Sequence, residues 1–228
     1  MFFFNKLKFF ANILIIFILC KFNNINSAEL TEAHKLLVSA DHLSNINAPS
    51  KIKYIFKKKG TLEPNFNDRV VMIIPEKDKE GYYDIKFDFF TGYNKEDLKS
   101  AKYKKNNPII HAFWEHDINL MARLTEGSWI YFRKRITWSM SDEHKFKIEE
   151  GKCVLNESEY NGHTVVMKPY EDDYDSKKFS KFAKKKYYVT LCKEIPGMIY
   201  EMGTIVPPEK EGDKPLMKET LTFDKILK

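Results

Sequence analysis

From residue 29 onward the apolar positions change period several times, and each change marks a predicted element. Leu30, Ala33, Leu36, Leu37, Ala40 and Leu43 recur at the spacing of one helical face, which predicts a helix over 29–45 that Pro49 closes off. From Lys51 the period becomes two. Ile52, Tyr54 and Phe56 alternate with lysines up to Gly60, Val70 to Ile74 forms a short apolar run, and Tyr83, Ile85, Phe87 and Phe89 alternate with charge. Three strands follow from this pattern. A sheet with one apolar and one charged face is antiparallel by default, because parallel sheets are covered on both faces.

A second helix is predicted over 106–125, with Asn107 as cap and Pro108 in the first turn. Ile110, Phe113, Trp114, Asp117, Met121 and Leu124 trace one of its sides, and Gly127 is placed to end it. In 129–140, Ile130, Phe132, Ile136, Trp138 and Met140 share one parity, which reads as a long strand with Lys134 anomalously on its apolar face. Further strands are expected over 145–153 and 162–169, joined by a turn at Asn161 and Gly162, then over 187–191 and 198–206 around Pro196 and Gly197. A short helix is expected over 179–185, capped by Asp175 or Ser176, and an edge strand over 216–223. The sum is an α+β fold: a curved antiparallel sheet or incomplete β-barrel with two main helices covering one side.

Composition adds compartment rather than chemistry. The 228 residues carry a formal charge of +6, and 14% are aromatic. The first 28 hold three Lys, no acid and 7 of the 18 Phe, with an apolar run from Phe9 to Leu19 and small residues at Ser27 and Ala28. Basic start, short apolar run and small-residue exit are the order of a signal peptide, so the division is 1–28 signal and 29–228 a single mature domain, exported to the periplasm. An uncleaved anchor is the alternative, since Asn26 stands where a small residue is preferred, and lipidation at Cys20 is disfavoured by Leu19 before it. The mature chain keeps Cys153 and Cys192, an even pair for an oxidising compartment, to be read as a disulfide or as two buried thiols.

The layout then resembles a family. A mature start ending in Ala40-Asp41-His42-Leu43-Ser44-Asn45, followed by Pro49 and a lysine-alternating strand, is similar to the LolA-like outer-membrane lipoprotein-sorting proteins. That resemblance implies an unclosed barrel whose helices plug the mouth and whose apolar interior shelters acyl chains. The block Asn107-Pro108, Phe113, Asp117, Met121 to Thr125, Gly127 and Tyr131 to Ile136 resembles a motif of a narrower family of exported proteins, tied to no function.

Enzymatic readings find little. His111 and His116 are five apart, about 140° around a helix, so they do not share one metal ion as an H-x-x-E-H pair does. No G-x-S-x-G occurs, and no phosphate-cradling glycine loop. No cofactor is expected. Lysine clusters interleaved with aromatics suit anionic headgroups or an acidic partner, while export and a mature charge of only +3 argue against nucleic acid. Arg133 and Arg135 stand out because the mature chain has only four Arg, and guanidinium forks suit fixed contacts to carboxylate or phosphate. The expectation is a non-catalytic carrier for an acyl chain or lipoprotein, with peripheral membrane contact possible and ligand contacts at Trp114, Met121, Phe132, Arg133, Arg135 and Trp138. The alternatives are an interaction subunit docking on another envelope protein and, more weakly, a hydrolase at His111 and Glu115.

Overall fold

The computed structural model describes residues 29–227, apart from the side chains of Ser176, Lys177, Lys178 and Ser180; residues 1–28, expected from sequence to be a signal peptide, lie outside them. Nine strands form one antiparallel sheet: β1 Ser50–Gly60, β2 Phe66–Ile74, β3 Tyr83–Phe89, β4 Ala101–Tyr103, β5 Phe146–Leu155, β6 Ser158–Met167, β7 Lys186–Leu191, β8 Ile199–Val206 and β9 Met217–Leu227. Their order is β4-β3-β2-β1-β9-β8-β7-β6-β5, so two meanders are joined through β1 and β9 and the curved sheet stays unclosed. Helices α2 Ile109–Thr125 and α3 Trp129–Ser139 connect the two edges, β4 and β5.

The alternation in β1 works as the sequence requires. Ile52, Tyr54 and Phe56 are fully buried while Lys51 and Lys57 face solvent. At the end of β3, Phe90 takes a left-handed backbone with φ of 62°, which lets two consecutive rings, Phe89 and Phe90, both turn inward. One apolar cluster runs from Ala33 to Phe223. Helix α2 lays ten buried residues onto it, among them Phe113, Trp114, Ile118 and Met121.

Five expectations need correction. The segment expected as a strand over 129–140 is instead helical over Trp129–Ser139. Its buried positions, Phe132, Ile136 and Ser139, fall at helical spacing, while Ile130 and Trp138 of the supposed inward parity are exposed. β-branched and aromatic residues favour strands only as a weak prior, and packing against α2 overrides it here. Lys134 is then an ordinary exposed lysine.

The last strand is not an edge strand but sits between β1 and β8 in the middle of the sheet. The β5–β6 turn is made by Asn156 and Glu157, both at positive φ (49° and 66°), rather than by Asn161 and Gly162. Gly162 lies within β6, where a Cβ would stand 2.1 Å from the Leu191 carbonyl oxygen and 2.4 Å from Cys192 Sγ; close approach, not turning, requires this glycine. Finally, the single helix expected over 29–45 is broken: helix α1 Glu32–His34 runs into a π-turn Lys35–Ser39, Ala40 is extended, and a 3₁₀ turn His42–Asn45 follows. The helix expected over 179–185 is a kinked 3₁₀ segment, Tyr174–Phe182.

Candidate functional site

Most of the sheet's concave face is occupied by the protein's own side chains. Tyr54, Phe56, Phe89, Phe113, Met121 and Tyr187 are fully buried, so the expected apolar lining is, over most of its area, a packed core. Open space remains at its margins.

A cleft of about 280 Å³ lies between the N-terminal turns, α2 and α3. Val38, Trp114, Ile118, Ile136 and Met140 give it apolar walls, and His34, His111, Glu115, Arg133 and Thr137 complete its lining. Arg133 is fixed there by Glu115, its Nη2 donating to Oε2 at 2.6 Å. Burial holds the His111 imidazole below its ordinary pKa, against the opposing pull of Glu115, which favours a neutral ring beside an apolar wall. An apolar slot with a cation and an imidazole beside it suits a chain with a polar end.

A larger cavity of about 750 Å³ opens where the β1–β2 turn, the β3–β4 loop and the C-terminal half of α2 meet. Phe66, Phe90, Leu98 and Leu120 line it, yet its cations are already partnered. Arg123 donates to both Glu63 oxygens, at 3.2 and 2.7 Å, and Lys58 reaches the same carboxylate at 3.4 Å. His116 places Nδ1 2.6 Å from Glu96 and Nε2 3.5 Å from Glu219. Phe56, Phe89 and Phe90 set their ring centroids 5.1 to 5.7 Å from its imidazole. Burial alone would lower the His116 pKa, but the carboxylates of Glu219 and Glu96 outweigh it and push it up to about 9.

Glu219 is 0% exposed on the inner face of β9, directly opposite Lys58 of β1 and Thr204 of β8. Neither of its oxygens receives a hydrogen bond from the described residues, so its charge is balanced by ion pairing alone: His116 at 3.5 Å and Lys58 at 3.8 Å. Burial disfavours this carboxylate, and the cations around it, His116 foremost, still bring its pKa below the ordinary value. A neighbouring bolt joins α2 to β7. Asp117 is paired with fully buried Lys185, accepts from the Tyr187 hydroxyl at 2.5 Å, and Tyr187 meets the Tyr170 hydroxyl at 2.8 Å.

The six side chains expected from sequence to meet a ligand do not form one site. Trp114 and Arg133 line the cleft. Met121 and Phe132 are core residues, the latter against Tyr131, Tyr170 and Phe179. Arg135 ties α3 to the loop after β6, reaching Asp173 at 2.8 Å and donating to the Pro169 carbonyl at 3.0 Å. Trp138 faces solvent with the Arg135 guanidinium 5.8 Å from its ring centroid. His111 and His116 diverge as their spacing demands, the first toward Tyr103 and Trp114, the second into the core.

Sequence reasoning missed Val38, Ile118 and Met140 of the cleft, and the buried partners Lys58, Glu219 and Lys185. Glu219 had a readable signal: it shares the inward parity of Met217, Leu221 and Phe223. Cys153 and Cys192 are joined in a disulfide, their Cα atoms 6.5 Å apart. Among the described residues no cluster of three or more His, Cys, Asp or Glu is suited to a metal ion, and no helix is long and apolar enough to cross a membrane.

No family model matches the chain, and no curated protein does. A crystal structure of a LolA superfamily protein from Nitrosomonas europaea aligns over 87% of this chain and 93% of that one, with 6% sequence identity and a TM-score of 0.22. The likeness is weak, and nothing about function is carried across from it.

Proposed function

We propose that this chain is a non-catalytic binding protein for an amphipathic molecule with an acyl chain, acting outside the cytosol. The observation that carries the reading is the cleft between α2 and α3, where Trp114, Ile118, Ile136 and Met140 face one another and Arg133 stands beside them. Its volume of about 280 Å³ is near the lower end of ligand sites and suits one chain rather than a whole lipid. The apolar tail would lie along Trp114 and Ile118, and the head would meet Arg133 by displacing Glu115. The Cys153–Cys192 pairing fits an oxidising compartment.

An interaction subunit is the second reading, favoured by the core side chains that occupy the concave face. Displacement of a fluorescent fatty acid separates the two. Thr137 is exposed and lines the cleft, so Thr137→Trp blocks the slot without touching the core. The carrier reading expects the probe to bind the unaltered protein and to bind Thr137→Trp at least tenfold more weakly. Equal binding by both, or none by either, removes it.

A further inference from the structure

The two ends of the sheet are guarded unequally. At one end stands β4, whose three residues leave little backbone for another strand to pair with. At the other stands β5, ten residues long, without proline and in unbroken register with β6. The Lys168 N–H donates to the Lys145 carbonyl across that ladder, so odd-numbered residues of β5 turn their backbone groups toward β6 and even-numbered ones turn theirs outward. Ile148, Glu150, Lys152 and Val154 therefore hold out N–H and carbonyl groups that meet no partner among the described residues.

The side chains along this edge are complementary to a second copy of themselves. An antiparallel pair of β5 strands about a two-fold axis must set even-numbered residues opposite even-numbered ones, because only those have free backbone groups. An axis at Glu149, Glu150 or Lys152 would bring like charges face to face. With the axis at Gly151, Glu150 of each copy stands opposite Lys152 of the other and Ile148 opposite Val154, and each pair occurs twice. Glu150 is exposed and has no ionic partner among the described residues. Lys152 meets Glu159 of β6 at 2.7 Å with the two side chains 59% and 60% exposed, which leaves ammonium protons for a second carboxylate. Val154 is 50% exposed, a β-branched side chain in water beside unpaired backbone.

We propose that two copies of this chain join edge to edge through β5, antiparallel and with Gly151 on the two-fold axis, so that their nine-stranded sheets continue as one. Opposite charges directly across two strands stabilise the pair and like charges weaken it, and the axis counts each contact twice. The same rule that favours this register therefore opposes its neighbours. One strand pair is a small interface, so a dissociation constant of about 10–100 µM is expected. None of the four outward residues lines the cleft, and the proposal stands apart from what the cleft holds.

Sedimentation velocity of the purified protein, from about 1 µM to about 1 mM chain, tests it. The unaltered protein should pass from the mass of one chain to that of two, and hydrogen exchange at the amides of Ile148, Glu150, Lys152 and Val154 should slow as it does. Glu150→Lys sets two cations against Lys152 of the other copy, and Lys152→Glu sets two carboxylates against Glu150; each should weaken association at least about tenfold. Glu150→Lys combined with Lys152→Glu rebuilds both pairs in reverse and should restore association to within about threefold. Both positions are exposed, so circular dichroism of all three variants should stay that of the folded protein. A chain that stays single up to about 1 mM overturns the proposal. So does a dimer whose β5 amides still exchange freely, one indifferent to the single substitutions, a double variant that stays single, or an edge that pairs with a different protein and never with its own copy.

Discussion

Glu219 is the residue on which the interior turns. A carboxylate without hydrogen bonds on the inner face of a sheet is costly to bury, and it persists because Lys58 stands opposite on β1 and His116 comes down from α2. Removing Lys58 leaves the Glu219 carboxylate buried with His116 as its one close cation, whereas Lys58 and His116 keep Glu63 and Glu96 when Glu219 is removed. Lys58→Met is therefore expected to cost about 3 kcal/mol in denaturant unfolding, far more than the loss of an exposed pair such as Lys152 with Glu159. The signature of the cluster in pH follows from His116. That imidazole has a folded pKa of about 9 against 6.5 when free, so its contribution is complete below about pH 6.5 and is lost as pH rises through 9. Thermal melts should decline over that interval, and His116→Gln should flatten the decline. These partners were legible in part. An acid in register with Met217 and Leu221, and an Asp117 on the apolar stripe of α2, were visible as anomalies, but which cation answers each depends on pairings between strands far apart in sequence.

At the scale of elements, the N-terminus of α2 shows how one side chain locks three segments. Asn107 accepts from the Ile109 N–H at 3.0 Å, donates its side-chain amide to the Gly197 carbonyl at 2.9 Å, and gives its backbone N–H to His42 Nδ1 at 3.1 Å. Asn107→Ala removes the cap and orphans a buried carbonyl. It should destabilise by about 2–3 kcal/mol in chemical denaturation. The cap was readable from Asn107-Pro108, whereas its second duty to Gly197 was not. Helix α3 failed for a different reason. Its apolar residues satisfy period two as well as they satisfy a helix, and a window of 11 residues without a glycine or proline inside it cannot choose; the neighbouring α2 chooses. Strands β1 and β3 were legible because each has one buried face and one largely wet face, which fixes parity without knowledge of neighbours.

For the molecule as a whole, the joint between β1 and β9 determines shape. The last strand was expected at an edge, yet it closes the two meanders onto each other, with Tyr54 against Phe223 and Phe56 against Leu221. Position within a sheet is a property of pairing order, which hydrophobic pattern does not encode. The disulfide acts at the same scale. Cys153 in β5 and Cys192 just beyond β7 are 39 residues apart and clamp the β5 edge across β6. Replacing both by Ala should lower stability by about 4 kcal/mol, measured by unfolding with and without a reductant.

The central claim, an acyl-bearing molecule seated between α2 and α3, is tested most directly by native mass spectrometry of the purified protein followed by organic extraction. The account predicts one bound amphiphile per chain in the unaltered protein and its loss in Thr137→Trp. A chain of bare protein mass whose extract holds no acyl compound, and which takes up none when fatty acids are offered, contradicts it.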